Sequence, residues 1–230
     1  MDLRAALHSA NERELALVQV MAEPSLSRAE RGDLPRFVDA CLDVGRRRAA
    51  EFLGADPAEA LADLGYLVKR IPGPSPGSRA GFHLCAMTRS GDDAPGGTVE
   101  LYVDEVAAKR RGLLAFDTSC PEEDDDLCRL HLAHELYHAL EFSRGPMTPD
   151  VVPRVRVHTL FGLRERQPAC SSEVAAHAFA RRMAESPICP QLVDTLALIE
   201  EGSLSQEAFL LELEKAREML SDSDACAACR

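Results

Sequence analysis

Leu127-Cys128-Arg129-Leu130-His131-Leu132-Ala133-His134-Glu135-Leu136-Tyr137-His138-Ala139-Leu140-Glu141-Phe142 is the stretch on which the reading of this chain turns. Its apolar residues recur at helical spacing, and it predicts a helix over about 125–142 that ends before Gly145-Pro146. Within it, His134-Glu135-Leu136-Tyr137-His138 has the form H-E-x-x-H. At about 100° per residue, His138 lies ~40° from His134 and one turn along, so both imidazoles reach a single metal ion. Glu135 points ~100° away from His134, close enough to act on a metal-bound water without becoming a ligand. His131 and Glu141 share the same stripe, but three ligands along one straight helix are strung over too long a rise for a tetrahedron. Both are therefore read as groups that support the ligands or line the cleft.

Zinc in hydrolytic sites keeps three protein ligands and one open position, so a third donor must come from elsewhere in the chain. Glu173 is the best candidate. It opens Glu173-Val174-Ala175-Ala176-His177-Ala178-Phe179-Ala180, a segment with helical periodicity that Ser171 or Ser172 can cap and Ser186-Pro187 ends. His177, four residues on, shares the face of Glu173 and can hydrogen-bond a ligand. His158 and Tyr102 are the remaining candidates, as donors to a transition state.

Outward from these helices the pattern is mixed. Residues 3–22 predict one amphipathic helix and Asp33 opens a second that Gly54 stops, while Asp56-Pro57 starts a short third ending at Leu64. Tyr66–Ile71, Ala80–Thr88 and Thr98–Val103 read as strands around the Pro- and Gly-rich loop 72–77, and 155–161 as a further strand. The acidic run Glu122–Asp126 suits a first helical turn, where it complements the helix dipole. Residues 191–220 are helical with a break at Gly202. The expected organisation is an N-terminal helical segment, 1–54, a catalytic domain, 55–190, and a C-terminal helical extension with its tail, 191–230, packed as one unit.

The chain has 230 residues, 46% of them hydrophobic and 28% charged, which is ordinary globular usage. With 38 acidic against 26 basic side chains, its net charge of −12 repels phosphate backbones and anionic membranes, so neither direct nucleic-acid binding nor membrane association is expected. The runs Arg46-Arg47-Arg48 and Lys109-Arg110-Arg111 read as solvated helix faces or turns. The N-terminus lacks a signal-peptide pattern, and the eight scattered cysteines, Cys120, Cys128 and the Cys226-x-x-Cys229 tail included, are read as reduced thiols of a cytoplasmic protein.

The residues Gly65-Tyr66-Leu67-Val68, the strand 99–103, His134 to His138 and Glu173 to Ala180 resemble the ImmA/IrrE family of bacterial metallo-endopeptidases, within the gluzincin group. The resemblance covers roughly 55–187. Phe179-Ala180 set the register against the family pattern E-x-E-A-N-x-F-A, placing Glu173 at the metal-binding glutamate. Ala175 stands at the second glutamate, His177 at the Asn or Asp, and Glu185-Ser186-Pro187 where an apolar residue, Met and Pro are usual. The resemblance implies an α+β, zincin-like domain with a small mixed sheet, an active-site helix and a ligand helix, flanked by N- and C-terminal helices. It also implies an endopeptidase acting on a protein or peptide substrate, of which transcriptional repressors are the type the family attacks. In the expected reaction Zn2+ activates water and polarises the carbonyl, and Glu135 carries the proton to the leaving amine. The alternative is a zinc-stabilised regulatory or interaction domain with little or no hydrolytic activity.

Overall fold

The computed structural model describes residues 3–78, 81–89, 94–116 and 124–228. In chain order the elements are α1 (Leu3–Ser9), α2 (Glu12–Met21), α3 (Asp33–Ala49), α4 (Pro57–Asp63), β1 (Tyr66–Ile71), β2 (Ala86–Arg89), β3 (Gly97–Tyr102), α5 (Val103–Ala115) and α6 (Asp124–Ser143). They continue with α7 (Thr148–Val151), β4 (Val155–Thr159), β5 (Gly162–Arg166), α8 (Ser171–Met183), α9 (Pro190–Glu200) and α10 (Gln206–Ala228). The fold is mixed α+β. The chain divides into two compact units, one formed by Met1–Val44, Pro146–Ala175 and Gln206–Arg230, the other by Gly45–Gly145 and Ala176–Ser205.

In the first unit, the single helix predicted over 3–22 is two. Asn11 interrupts it with a capping box, its side chain accepting from the Glu14 N–H while the Glu14 carboxylate accepts from the Asn11 N–H. Arg13 on α2 bonds Asp39 of α3 at 2.7 Å and Asp224 of α10 at 2.9 Å, tying three helices together. β4 and β5 form an antiparallel hairpin, and the segment around Ala29 pairs with the other edge of β4. The expected strand over 155–161 therefore stops at Thr159, where the chain turns. β5 escapes the sequence reading because all five of its residues are exposed and show no alternation of burial.

In the second unit, Asp56 caps α4 by accepting from the N–H groups of Ala58 and Glu59, with Pro57 in the first turn. Gly65, at φ 84°, reverses the chain into β1. The sheet has the order β1-β3-β2, with β1 and β3 parallel, Tyr66 opposite Gly97, and β2 and β3 antiparallel, Ala86 opposite Leu101. β3 is central, and Val99, Leu101 and Tyr102 are buried. The strand expected from Ala80 begins only at Ala86; Ala80 itself and Glu122–Glu123, like Cys120 and Cys229, lie outside the described residues.

Helix α5 has no counterpart in the sequence reading. Its Lys109 belongs to the run read as solvated, yet it is 5% exposed and bonds Asp194 of α9 at 2.6 Å. Burial opposes the ammonium charge, but the Asp194 carboxylate outweighs that cost and the lysine pKa is raised. α5 and α9 cross closely because Gly112 has no side chain: a Cβ there would stand 2.8 Å from the Ala197 Cα. α6 packs against α4, α5, β2 and β3. Arg48, from the other basic run, lies 5.2 Å over the Tyr137 ring and donates to the Arg144 carbonyl.

The connection from β1 to β2 is strapped down by His83. Its Nδ1 lies 2.8 Å from Glu105 of α5 and its Nε2 2.8 Å from Glu201 at the end of α9. A neutral imidazole donates from one nitrogen only, so both bonds require the cation. Ring burial works against that charge, yet the two carboxylates prevail and the His83 pKa is raised above its ordinary 6.5. Glu105 is lowered despite its burial, by His83 and the Ser75 N–H among others, and Glu201 by Ser203 and His83. The raised imidazole contributes stability that is complete below 6.5 and disappears as pH rises through its folded value. The lowered carboxylates contribute above 4.5 and lose their effect as pH falls through their folded values. His83→Ala is thus expected to reduce the melting temperature most between these two pH values, with the gap to the unsubstituted protein closing in mild alkali. A gap that does not vary with pH would remove the strap from this account.

Candidate metal centre

α6 is buried on most of its circumference: Leu127, Leu130, Ala133, Leu136, Tyr137 and Leu140 are each at most 3% exposed. Apolar packing on that scale fixes the rotation of the helix, and with it the direction of the stripe that carries His131, His134, His138 and Glu141. Tyr137 and Phe179 of α8 are 5.4 Å apart between ring centroids, and Phe52 meets Phe179 edge-on at 5.8 Å. These aromatic contacts set α8 beside α6. α8 is one helix that passes from the first unit to the second at Ala176, with Glu173 in its first turn and His177 one turn later.

The Nε2 atoms of His134 and His138 face each other at 3.1 Å. One donor atom from each of these histidines and one from Glu173 all lie within 4.8 Å of one another. With zinc–nitrogen bonds of 2.0–2.1 Å, two ligands of a tetrahedral ion are separated by about 3.3 Å, so the histidine pair is spaced as such a site needs. Two imidazoles and a carboxylate are also a donor set that zinc accepts. The two histidines are half-buried and Glu173 is exposed.

Around the donors stand groups that would hold them. His177 is buried, with its ring centroid 4.8 Å from that of His134. The Glu141 carboxylate, 1% exposed, reaches to 3.6 Å from His138 Nδ1, within ion-pair range though beyond a hydrogen bond. A negative charge on that side favours a proton on Nδ1 and leaves the lone pair on Nε2, the nitrogen that faces His134. His131 lies farther along the stripe; its Nε2 is buried and has no hydrogen-bond partner among the described residues. Desolvation, joined by the Lys109 charge, lowers its pKa well below the ordinary value and keeps the ring neutral.

Glu135 is 8% exposed, and its Oε2 accepts a 2.7 Å hydrogen bond from the Thr88 hydroxyl on β2. Sequence reasoning missed Thr88. A threonine on a four-residue strand carries no local signal, and its partner stands 47 positions away. The two transition-state donors offered by the sequence are both engaged by other residues. Tyr102 is buried and donates to Glu100 at 2.6 Å, in a cluster that Arg89 completes. His158, on β4 in the first unit, gives its Nε2 to Glu30.

The six cysteines of the described residues are free thiols, Cys41, Cys85, Cys128 and Cys189 buried, Cys170 half-buried and Cys226 exposed on α10. Burial pushes the Cys85 thiol up to about 12, so it is protonated at neutral pH. Among the described residues, no helix is long and apolar enough to cross a membrane. Compared with known proteins, the chain matches no family model, no curated protein and no solved structure.

Proposed function

We propose that this chain is a zinc-dependent peptidase of the ImmA/IrrE type, with α6 as the active-site helix of a zincin-like domain and α8 as the ligand helix. The observation that carries the reading is the convergence of His134, His138 and Glu173, with the buried Glu135 next in sequence to His134 on the same helix. A structural zinc site is closed by four protein ligands and has no use for a base, whereas three ligands with a carboxylate alongside leave a position for water.

His134, His138 and Glu173 would hold the ion, which supplies Lewis acidity toward a carbonyl and lowers the pKa of water to about 7. Glu135 takes the proton of the attacking water and returns it to the departing amine. Thr88 fixes one carboxylate oxygen of Glu135, so the other is free to receive that proton. Glu141 and His177 orient the two histidines. The substrate is a protein segment, with a transcriptional regulator as the class that the family resemblance suggests.

The reading is tested first by zinc content. The chain stripped by chelator and titrated with zinc is expected to take up about one ion. Glu173→Ala should weaken that binding by more than the 10–100-fold typical of a residue that only supports a ligand. Glu141→Ala should leave the stoichiometry unchanged. The reverse ranking of these two variants would show that the third ligand is misassigned.

A further inference from the structure

We infer that the β4–β5 hairpin is a docking edge for an extended acidic segment of a partner protein, which adds to β5 as a strand. The inference concerns the first unit only and does not depend on the metal centre. It starts from the tip. Leu160 and Phe161 are 90% and 86% exposed, at the two positions where a hairpin turn ordinarily carries Asn, Asp or Gly. The tip is held in place: the Thr159 hydroxyl donates to the Gly162 carbonyl at 2.7 Å and accepts from the Phe161 N–H at 3.2 Å, and Gly162 supplies the positive φ of 97°. Two large apolar side chains on a braced turn cost solubility and are not needed to form it.

The edge behind the tip is open. β4 is paired on both sides, by β5 and by the segment around Ala29, while the outer edge of β5 meets no other strand among the described residues. Unpaired backbone groups on an exposed edge are a template for another strand.

Charge selects the occupant. Residues 152–168 contain four arginines and one glutamate in a chain of net charge −12. Arg156 is neutralised by Asp33, but Arg154, Arg164 and Arg166 form no ion pair among the described residues. Edge arginines alone could serve to repel other strands. That role leaves the exposed Leu160 and Phe161 unexplained. Because side chains alternate along a strand, Arg164 and Arg166 share one face of β5 and Leu163 stands on the other. An added strand therefore meets them best with Asp or Glu at every second position and apolar residues between, the last of them against Leu163 and the tip.

The test pans a random peptide library against the full chain. Enrichment of sequences with acidic residues at alternate positions is expected. A synthetic peptide of that pattern should bind at least tenfold more weakly to R164E/R166E and to L160S/F161S, whose substituted positions are exposed and whose circular dichroism spectra are expected to match the unsubstituted protein. On binding, the outward N–H groups of β5 should gain protection from hydrogen exchange, and a backbone N-methylated peptide should not bind. Enrichment without acidic bias, or equal binding to the Arg variant, would overturn the inference. So would binding of phosphatidylserine vesicles or a random DNA duplex, lost in the same variants, in place of any peptide.

Discussion

Glu135→Gln is expected to keep its zinc and its fold and to lose hydrolysis by about 10²–10⁴-fold, the range that general acid–base groups contribute. The substitution is nearly isosteric, and its amide oxygen can still accept the hydroxyl of Thr88, so the bond that positions the side chain survives. Only the capacity to take up a proton is removed. Because the same carboxylate serves both proton transfers, a loss at the upper end of that range is expected. The measurement is digestion of a proteome-derived peptide library, with cleavage read by mass spectrometry for the unsubstituted protein and the variant at equal zinc content. Equal cleavage by the two would remove Glu135 from the mechanism. A zinc-loaded chain that cuts nothing in either form would favour the regulatory-domain reading.

What sequence reasoning could see depended on whether a feature was local. The two histidines and Glu135 lie within five residues on one helix, and helical geometry alone specifies how they share a face. Asp56-Pro57 and Gly65 likewise announce α4 and its end, because caps act over three or four residues. α5 was hidden since its buried stripe includes Lys109, a residue type that is almost never interior unless paired, and the pairing Asp194 is 85 positions away. β5 was hidden for a related reason: its identity comes from pairing with β4 and not from burial, so Gly162-Leu163-Arg164-Glu165-Arg166 shows no period. His158 seemed available as a donor while Glu30, 128 residues distant, was out of view. Each miss is thus a long-range partner that overrides what the local pattern suggests.

The same contrast between local and distant donors governs the expected effect of removing a histidine. His134→Ala and His138→Ala should each abolish stoichiometric zinc, since one nitrogen and one carboxylate oxygen would remain from the trio. Loss of metal is also loss of stability: a ligand present at a thousand times its Kd raises the unfolding free energy by about 4.1 kcal/mol. For a chain of this length each kcal/mol moves the melting temperature by roughly 2–4 °C, so the protein should gain on the order of 10 °C with zinc and the variants almost nothing. Without zinc the difference should nearly vanish. The two Nε2 atoms at 3.1 Å can share only one proton between them, and removing one ring costs at most that single hydrogen bond of about 1 kcal/mol. Melting curves with and without zinc therefore separate the two roles. A zinc-dependent rise that persists in both variants would mean that the ion binds elsewhere. A large destabilisation already present in the chelator-treated variants would mean that the pair is a structural element and the convergence with Glu173 is incidental.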